Sequence, residues 1–232
     1  MQLTLLDQFY RISTIPLLCL LFSCILGVRY WRRLPQSLQA LMVYLFFSFA
    51  IEIGSRLAAV AFHQNLPLLH VYTFGEVLLL SLFYRQILDD SSGFKQYFNW
   101  IVGAVLTLVV LNTIFLQGIF EFNSYAKTLA QVLIILYALD YAFRIPEQED
   151  NDPELTRELR QINAAILIYY CGSLFIFMAS SFESEAREMF RRLWDVNKIL
   201  LLVFQLIILI ALWKVVFKLP KSSSSSARAS SS

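Results

Sequence analysis

Seven predominantly apolar runs, each near the length that carries an α-helix across a bilayer, leave this chain few alternatives for its fold. A helix rising about 1.5 Å per residue needs about 20 such residues to cross roughly 30 Å of hydrocarbon. The runs cover 12–28, 38–62, 68–88, 98–117, 125–143, 162–182 and 193–217, separated by short polar segments. Composition agrees, with 58% of the 232 residues apolar and 16% charged, against about 25% charged in an ordinary soluble domain. The expected fold is all-α: a polytopic transmembrane bundle of seven helices formed by residues 1–221. The serine-rich tail 222–232 cannot bury a core and is expected to be disordered.

The basic residues orient the bundle, because positively charged loops are retained in the cytoplasm. Segments following the first, third, fifth and seventh runs hold twelve of them, including Arg29, Arg32, Arg33, Arg144, Lys214 and Lys218. The opposite set holds six, Arg11, Lys127, Arg187, Arg191, Arg192 and Lys198, and Arg56 lies inside the second run. The N-terminus is therefore expected outside and the C-terminus in the cytoplasm. Between the fifth and sixth runs, Asp152 and Pro153 form an N-cap followed by a first-turn proline, so a cytoplasmic helix should start at Pro153 and run into the sixth span. Residues 184–194 pair Glu188 with Arg192 above an apolar side of Met189, Phe190, Leu193 and Trp194, which suits an amphipathic helix on the outer membrane surface.

The net charge of +2 and the absence of a basic tract interleaved with aromatics exclude nucleic acid as a partner. Cys19, Cys24 and Cys171 lie inside apolar runs without metal-binding spacing and read as small packing residues. No phosphate-cradling glycine loop or Ser-His-Asp spacing is present, so the sequence carries no catalytic signature, no metal site and no cofactor motif.

What remains is polarity in the wrong solvent. A charged side chain at the bilayer centre costs about 2.5 to 3.5 kcal/mol on insertion scales, and therefore marks a functional site by default. Glu52 and Arg56 stand at i,i+4 on the second run, and His70, Thr73 and Glu76 at intervals of three on the third. With the orientation above, these residues, Lys127, Gln131, Asn197 and Lys198 fall in the outer half. The expectation is an outward-opening cavity lined by Glu52, Arg56, His70, Tyr72, Glu76 and Asn197, with Lys198 at its rim and Arg56 able to reach Glu76. Glu76 has no basic residue within a turn on its own helix, so its partner must come from another helix or a ligand. Lys127 reads as a residue reaching the interface.

The run His70-Val-Tyr72-Thr-Phe-Gly-Glu76 leading into Leu-Leu-Leu-Ser-Leu-Phe-Tyr84, with Glu52 upstream and Leu193-Trp194 through Asn197 opening the last span, resembles an uncharacterised family of bacterial seven-helix integral membrane proteins. The resemblance implies fold and location, a multi-pass protein of the bacterial inner (cytoplasmic) membrane, and makes Glu52, His70, Tyr72, Glu76 and Asn197 candidate family positions. The leading functional expectation is a receptor-like or sensory protein. It would bind a small polar or amphiphilic ligand and signal to a cytoplasmic or membrane protein partner. A small-solute transporter, using Asp140 and Asn163 as inner stepping stones, and an intramembrane lipid-modifying hydrolase, using Glu76 and His70 as acid and base, are the alternatives.

Overall fold

The structure is a computed structural model that describes residues 5–144, 153–179 and 187–218. Among them every long element is helical: α1 (Leu5–Tyr30), α2 (Gln36–Phe62), α3 (Leu66–Ile87), the single turn α4 (Gly93–Gln96), α5 (Phe98–Phe115), α6 (Ser124–Arg144), α7 (Pro153–Ala179) and α8 (Arg187–Lys218). Seven of these are long and apolar enough to cross a membrane. Each expected span is matched by one helix, and α7 runs from Pro153, the first described residue after 145–152, into the sixth span; the Asp152 cap lies outside the described residues. The tail 222–232, the acidic link around 145–152 and residues 180–186 at the end of the sixth span lie outside the described residues.

Six helices close a ring in the order α1, α2, α3, α6, α7, α8, with α8 returning to α1, while α5 packs on the outside against α3 and α6. The apolar spacing explains why. Leu38, Leu41 and Leu45 on α2, Ile134, Tyr137, Ala138 and Tyr141 on α6, and Phe204, Ile208, Ala211 and Val215 on α8 recur at three- and four-residue intervals and are all buried. Such stripes bring one face of each helix to a common core. On α5 few side chains are buried, and Trp100, Leu111, Ile114 and Phe115 are exposed. A helix apolar all round and exposed on most faces fits contact with lipid rather than water.

Two joints fix the helices that carry the site. His63 ends α2 in the left-handed conformation (φ 54°), and only His63, Gln64 and Asn65 separate it from α3, which keeps α2 and α3 adjacent as the short connection predicts. At Gly75 a Cβ would run into the Phe47 ring, so glycine lets α3 approach α2 closely at the level of Glu76. Phe47 then stacks on Tyr72 with centroids 6.3 Å apart.

Candidate functional site

Glu76 is fully buried, and its carboxylate is taken from two sides. Lys127 Nζ on α6 lies 2.5 Å from Oε2, and the Tyr170 hydroxyl on α7 donates to Oε1 at 2.8 Å. The partner from another helix that Glu76 required is thus Lys127. It is drawn into the bundle instead of reaching the interface, because an unpaired carboxylate there would be far costlier than the pair. The ammonium also sits over the rings of Tyr72, Phe177 and Tyr170, at 4.6, 5.6 and 6.0 Å from their centroids.

Hydroxyls extend this pair toward α2. Tyr44 lies 3.3 Å from Tyr170 and 3.1 Å from Tyr72, oxygen to oxygen. A phenol has one hydrogen. Tyr170 spends its hydrogen on Glu76, so Tyr44 donates to Tyr170 and Tyr72 donates to Tyr44. The chain Tyr72, Tyr44, Tyr170 points its donors at the carboxylate.

Tyr72 and Tyr44 belong at the same time to the wall of a cavity of about 230 Å³ enclosed by α1, α2, α3, α7 and α8. Pro16, Leu17 and Leu20 give it an apolar side. Ser48, Glu52 and Ser55, at i,i+4,i+7 on α2, face it, as do Asn197, Leu201 and Gln205, at i,i+4,i+8 on α8. Asn197 and Gln205 are more than nine-tenths buried, and their amide oxygens have no hydrogen-bond partner among the described residues.

The structure brings some of the residues expected on one lining together and places the others elsewhere. Glu52, Tyr72 and Asn197 line the cavity. Arg56 folds back onto Glu52, with Nε 2.9 Å and Nη2 2.8 Å from Oε1, and does not bond Glu76. Glu76 is not on this wall: its link to the cavity runs through the tyrosines, so the two carboxylates do not meet in it. Lys198 pairs with Asp195 at 2.9 Å and is not part of the lining.

His70 is turned elsewhere. Its Nδ1 is 2.9 Å from Thr113 Oγ1 on α5, and its Nε2 is 3.2 Å from the Glu121 carbonyl. The carbonyl can only accept, so Nε2 carries a hydrogen. Spacing by three had suggested a face shared with Glu76, but six positions turn a helix by about 600°, leaving the two side chains roughly 120° apart. Thr73, between them, accepts from Asn123, which in turn accepts from Asn112. These bonds tie the α5–α6 connection to α3, and the acid–base pair of the hydrolase expectation is not assembled.

At the opposite end a larger cleft of about 340 Å³ lies between the ends of α3 and α7. Its charged residues pair locally: Lys95 meets Asp90 at 2.7 Å and the Leu88 carbonyl at 2.9 Å, and Asp89 accepts from the Ser91 backbone at 2.8 Å. The transporter's stepping stones are also occupied. Asp140 accepts from Ser92 and Arg144, and Asn163 bonds Tyr84 and the Ala138 carbonyl. Among the described residues, the amide oxygens of Asn197 and Gln205 are left without a partner on the wall of the 230 Å³ cavity.

Sequence reasoning passed over Lys127, Tyr44, Tyr170 and Gln205 as site residues. The usable signals were a lysine inside an apolar run opposite an unpartnered glutamate, and the eight-residue interval from Asn197 to Gln205 on a strongly apolar helix. Among the described residues no group of three or more His, Cys, Asp or Glu side chains could hold a metal ion. No protein-family model, curated protein or solved structure matches the chain.

Proposed function

We propose that this chain is a receptor-like multi-pass protein of the bacterial inner membrane, with its N-terminus outside, that binds a small amphiphilic ligand in the 230 Å³ cavity. The observation that carries this reading is the pair of buried, unpartnered amide oxygens, of Asn197 and Gln205, on the wall of a cavity that Pro16, Leu17 and Leu20 make apolar on one side. A buried polar atom without a partner costs about 1 to 3 kcal/mol, and a ligand presenting complementary groups would recover it. Apolar walls with a few convergent polar groups are the usual make-up of a small-molecule site.

A ligand bonding Tyr72 or Tyr44 would compete for the hydroxyl chain that ends on Glu76, and so bias the contact between α3, α6 and α7. The α7 segment that begins at Pro153 would carry that bias to the cytoplasmic side, where a protein partner would read it. The distribution of basic residues supports the orientation.

Two measurements test the proposal. A reporter fused after Phe217 should be active only in the cytoplasm, and one inserted in the α5–α6 connection only outside; reversed activities would remove the outward opening. Purified protein in nanodiscs should be thermally stabilised by some member of an amphiphile library, since a ligand that binds only the folded state raises its stability by mass action. A library that stabilises wild type and the Asn197→Leu, Gln205→Met double variant alike would sink this cavity as the site.

A further inference from the structure

Lys127 has more hydrogen-bonding capacity than the bundle uses. An ammonium carries three N–H donors, and among the described residues its hydrogen bonding is met by Glu76 alone. The neighbouring rings of Tyr72 and Phe177 attract the cation through their faces, but they offer no lone pair. The same side chain lines a second, smaller cavity of about 110 Å³ closed by Phe122, Phe177 and Trp194. These three rings touch one another, with centroids 5.3 to 5.9 Å apart.

The two cavities are neighbours. Leu69, Tyr72 and Tyr169 contribute to the walls of both, so these three side chains stand between them. An apolar cavity of about 150 Å³ accommodates benzene, so the smaller space here suits a head group of about four or five heavy atoms.

Charge decides what that head group is. Glu76 and Lys127 already cancel one another. A carboxylate added beside them would leave an uncompensated negative charge in a buried site, and an amine an uncompensated positive one; either is expensive. An uncharged oxygen acceptor uses the idle donors and leaves the balance intact. Two further polar side chains on this wall are engaged, Asn123 with Thr73 and Asn112, and Thr73 with the Leu69 carbonyl.

We propose that the smaller cavity is the head-group subsite of the ligand, where Lys127 donates to an uncharged carbonyl oxygen of a ketone, ester or amide. The rest of the amphiphile passes Tyr72 into the larger cavity, where its apolar part meets Leu17, Leu20 and Leu201 and any second polar group meets Asn197 and Gln205. This assignment rests on the ligand-binding reading above and deepens it.

The test uses the full chain in phosphatidylcholine nanodiscs with four probes of equal chain length: 2-nonanone, nonane, nonanoate and nonylamine. Relative to partition into protein-free nanodiscs, 2-nonanone should bind about tenfold more tightly than nonane, the ratio that one hydrogen bond to a charged donor supplies. The two charged probes should gain no such advantage. With ¹³C-carbonyl 2-nonanone, the infrared carbonyl band should move to lower frequency on binding wild type, a readout that needs no variant. The shift should vanish in the Glu76→Gln, Lys127→Met double variant. Equal binding of ketone and alkane with an unmoved band would overturn the Lys127 assignment while leaving the cavity reading standing. Preferential binding of nonanoate would make the subsite an anion site and overturn it too. Failure of all four probes to bind would remove the cavity reading itself.

Discussion

Glu76 on α3 and Lys127 on α6 meet at 2.5 Å inside the bundle, with side chains 0% and 6% exposed. Fifty-one positions apart in the chain, they join the helix that carries Tyr72 to the helix beside Tyr170, and each neutralises a charge the interior would not otherwise tolerate. Removing one partner of such a pair costs about 3 to 5 kcal/mol, whereas replacing both by apolar or neutral groups of similar volume is often mild. Lys127→Ala should therefore lower the melting temperature much more than Glu76→Gln combined with Lys127→Met. Measurement in one detergent decides it, and equal losses would mean the pair is not desolvated as described.

The tyrosine chain should grade by distance from the carboxylate. Tyr170→Phe removes a hydrogen bond to an ionised group, worth about 1.5 to 3 kcal/mol, while Tyr44→Phe removes bonds between neutral groups, worth about 0.5 to 1.5 kcal/mol each. Thermal melts of these variants should rank Tyr170→Phe as the more harmful, with Tyr72→Phe, at the end of the chain, the mildest.

Asn197→Leu with Gln205→Met should stabilise the ligand-free protein. Both changes nearly conserve volume and remove amide oxygens that lack partners, each a burden of about 1 to 3 kcal/mol. A higher melting temperature accompanied by loss of ligand response is the expected signature; a lower one would mean the amides are satisfied by groups such as ordered water.

His70→Ala should destabilise the protein by about 1 to 3 kcal/mol, because it strips partners from Thr113 and from the Glu121 carbonyl. Ligand-induced stabilisation should persist in that variant. Abolished ligand response with an unchanged ligand-free melting temperature would place His70 in the binding site.

Gly75→Ala should cost about 1 to 3 kcal/mol through overpacking against Phe47. Adding Phe47→Leu opens room for the new methyl and should restore part of the loss. A melt of the double variant no better than the single would show that the helices separate instead.

The sequence determined the fold class, because a run of about 20 apolar residues has essentially one way to satisfy its backbone hydrogen bonds in lipid. The presence of Glu52, Tyr72 and Asn197 on one wall was also legible, since costly polar residues in spans gather away from lipid. What the chain alone could not decide was which helix neighbours which, and which way each side chain faces. Lys127 sits at the start of its span, where local reasoning sends a lysine to the interface; α6 packing against α3 and α7 brought it to Glu76 instead. His70 shares a helix with Glu76, yet the roughly 120° between their faces gave one to α5 and the other to the ring's interior. Pairing of buried charges is a property of two helices at once, so neither segment specifies it, and the tertiary arrangement had to choose the partner.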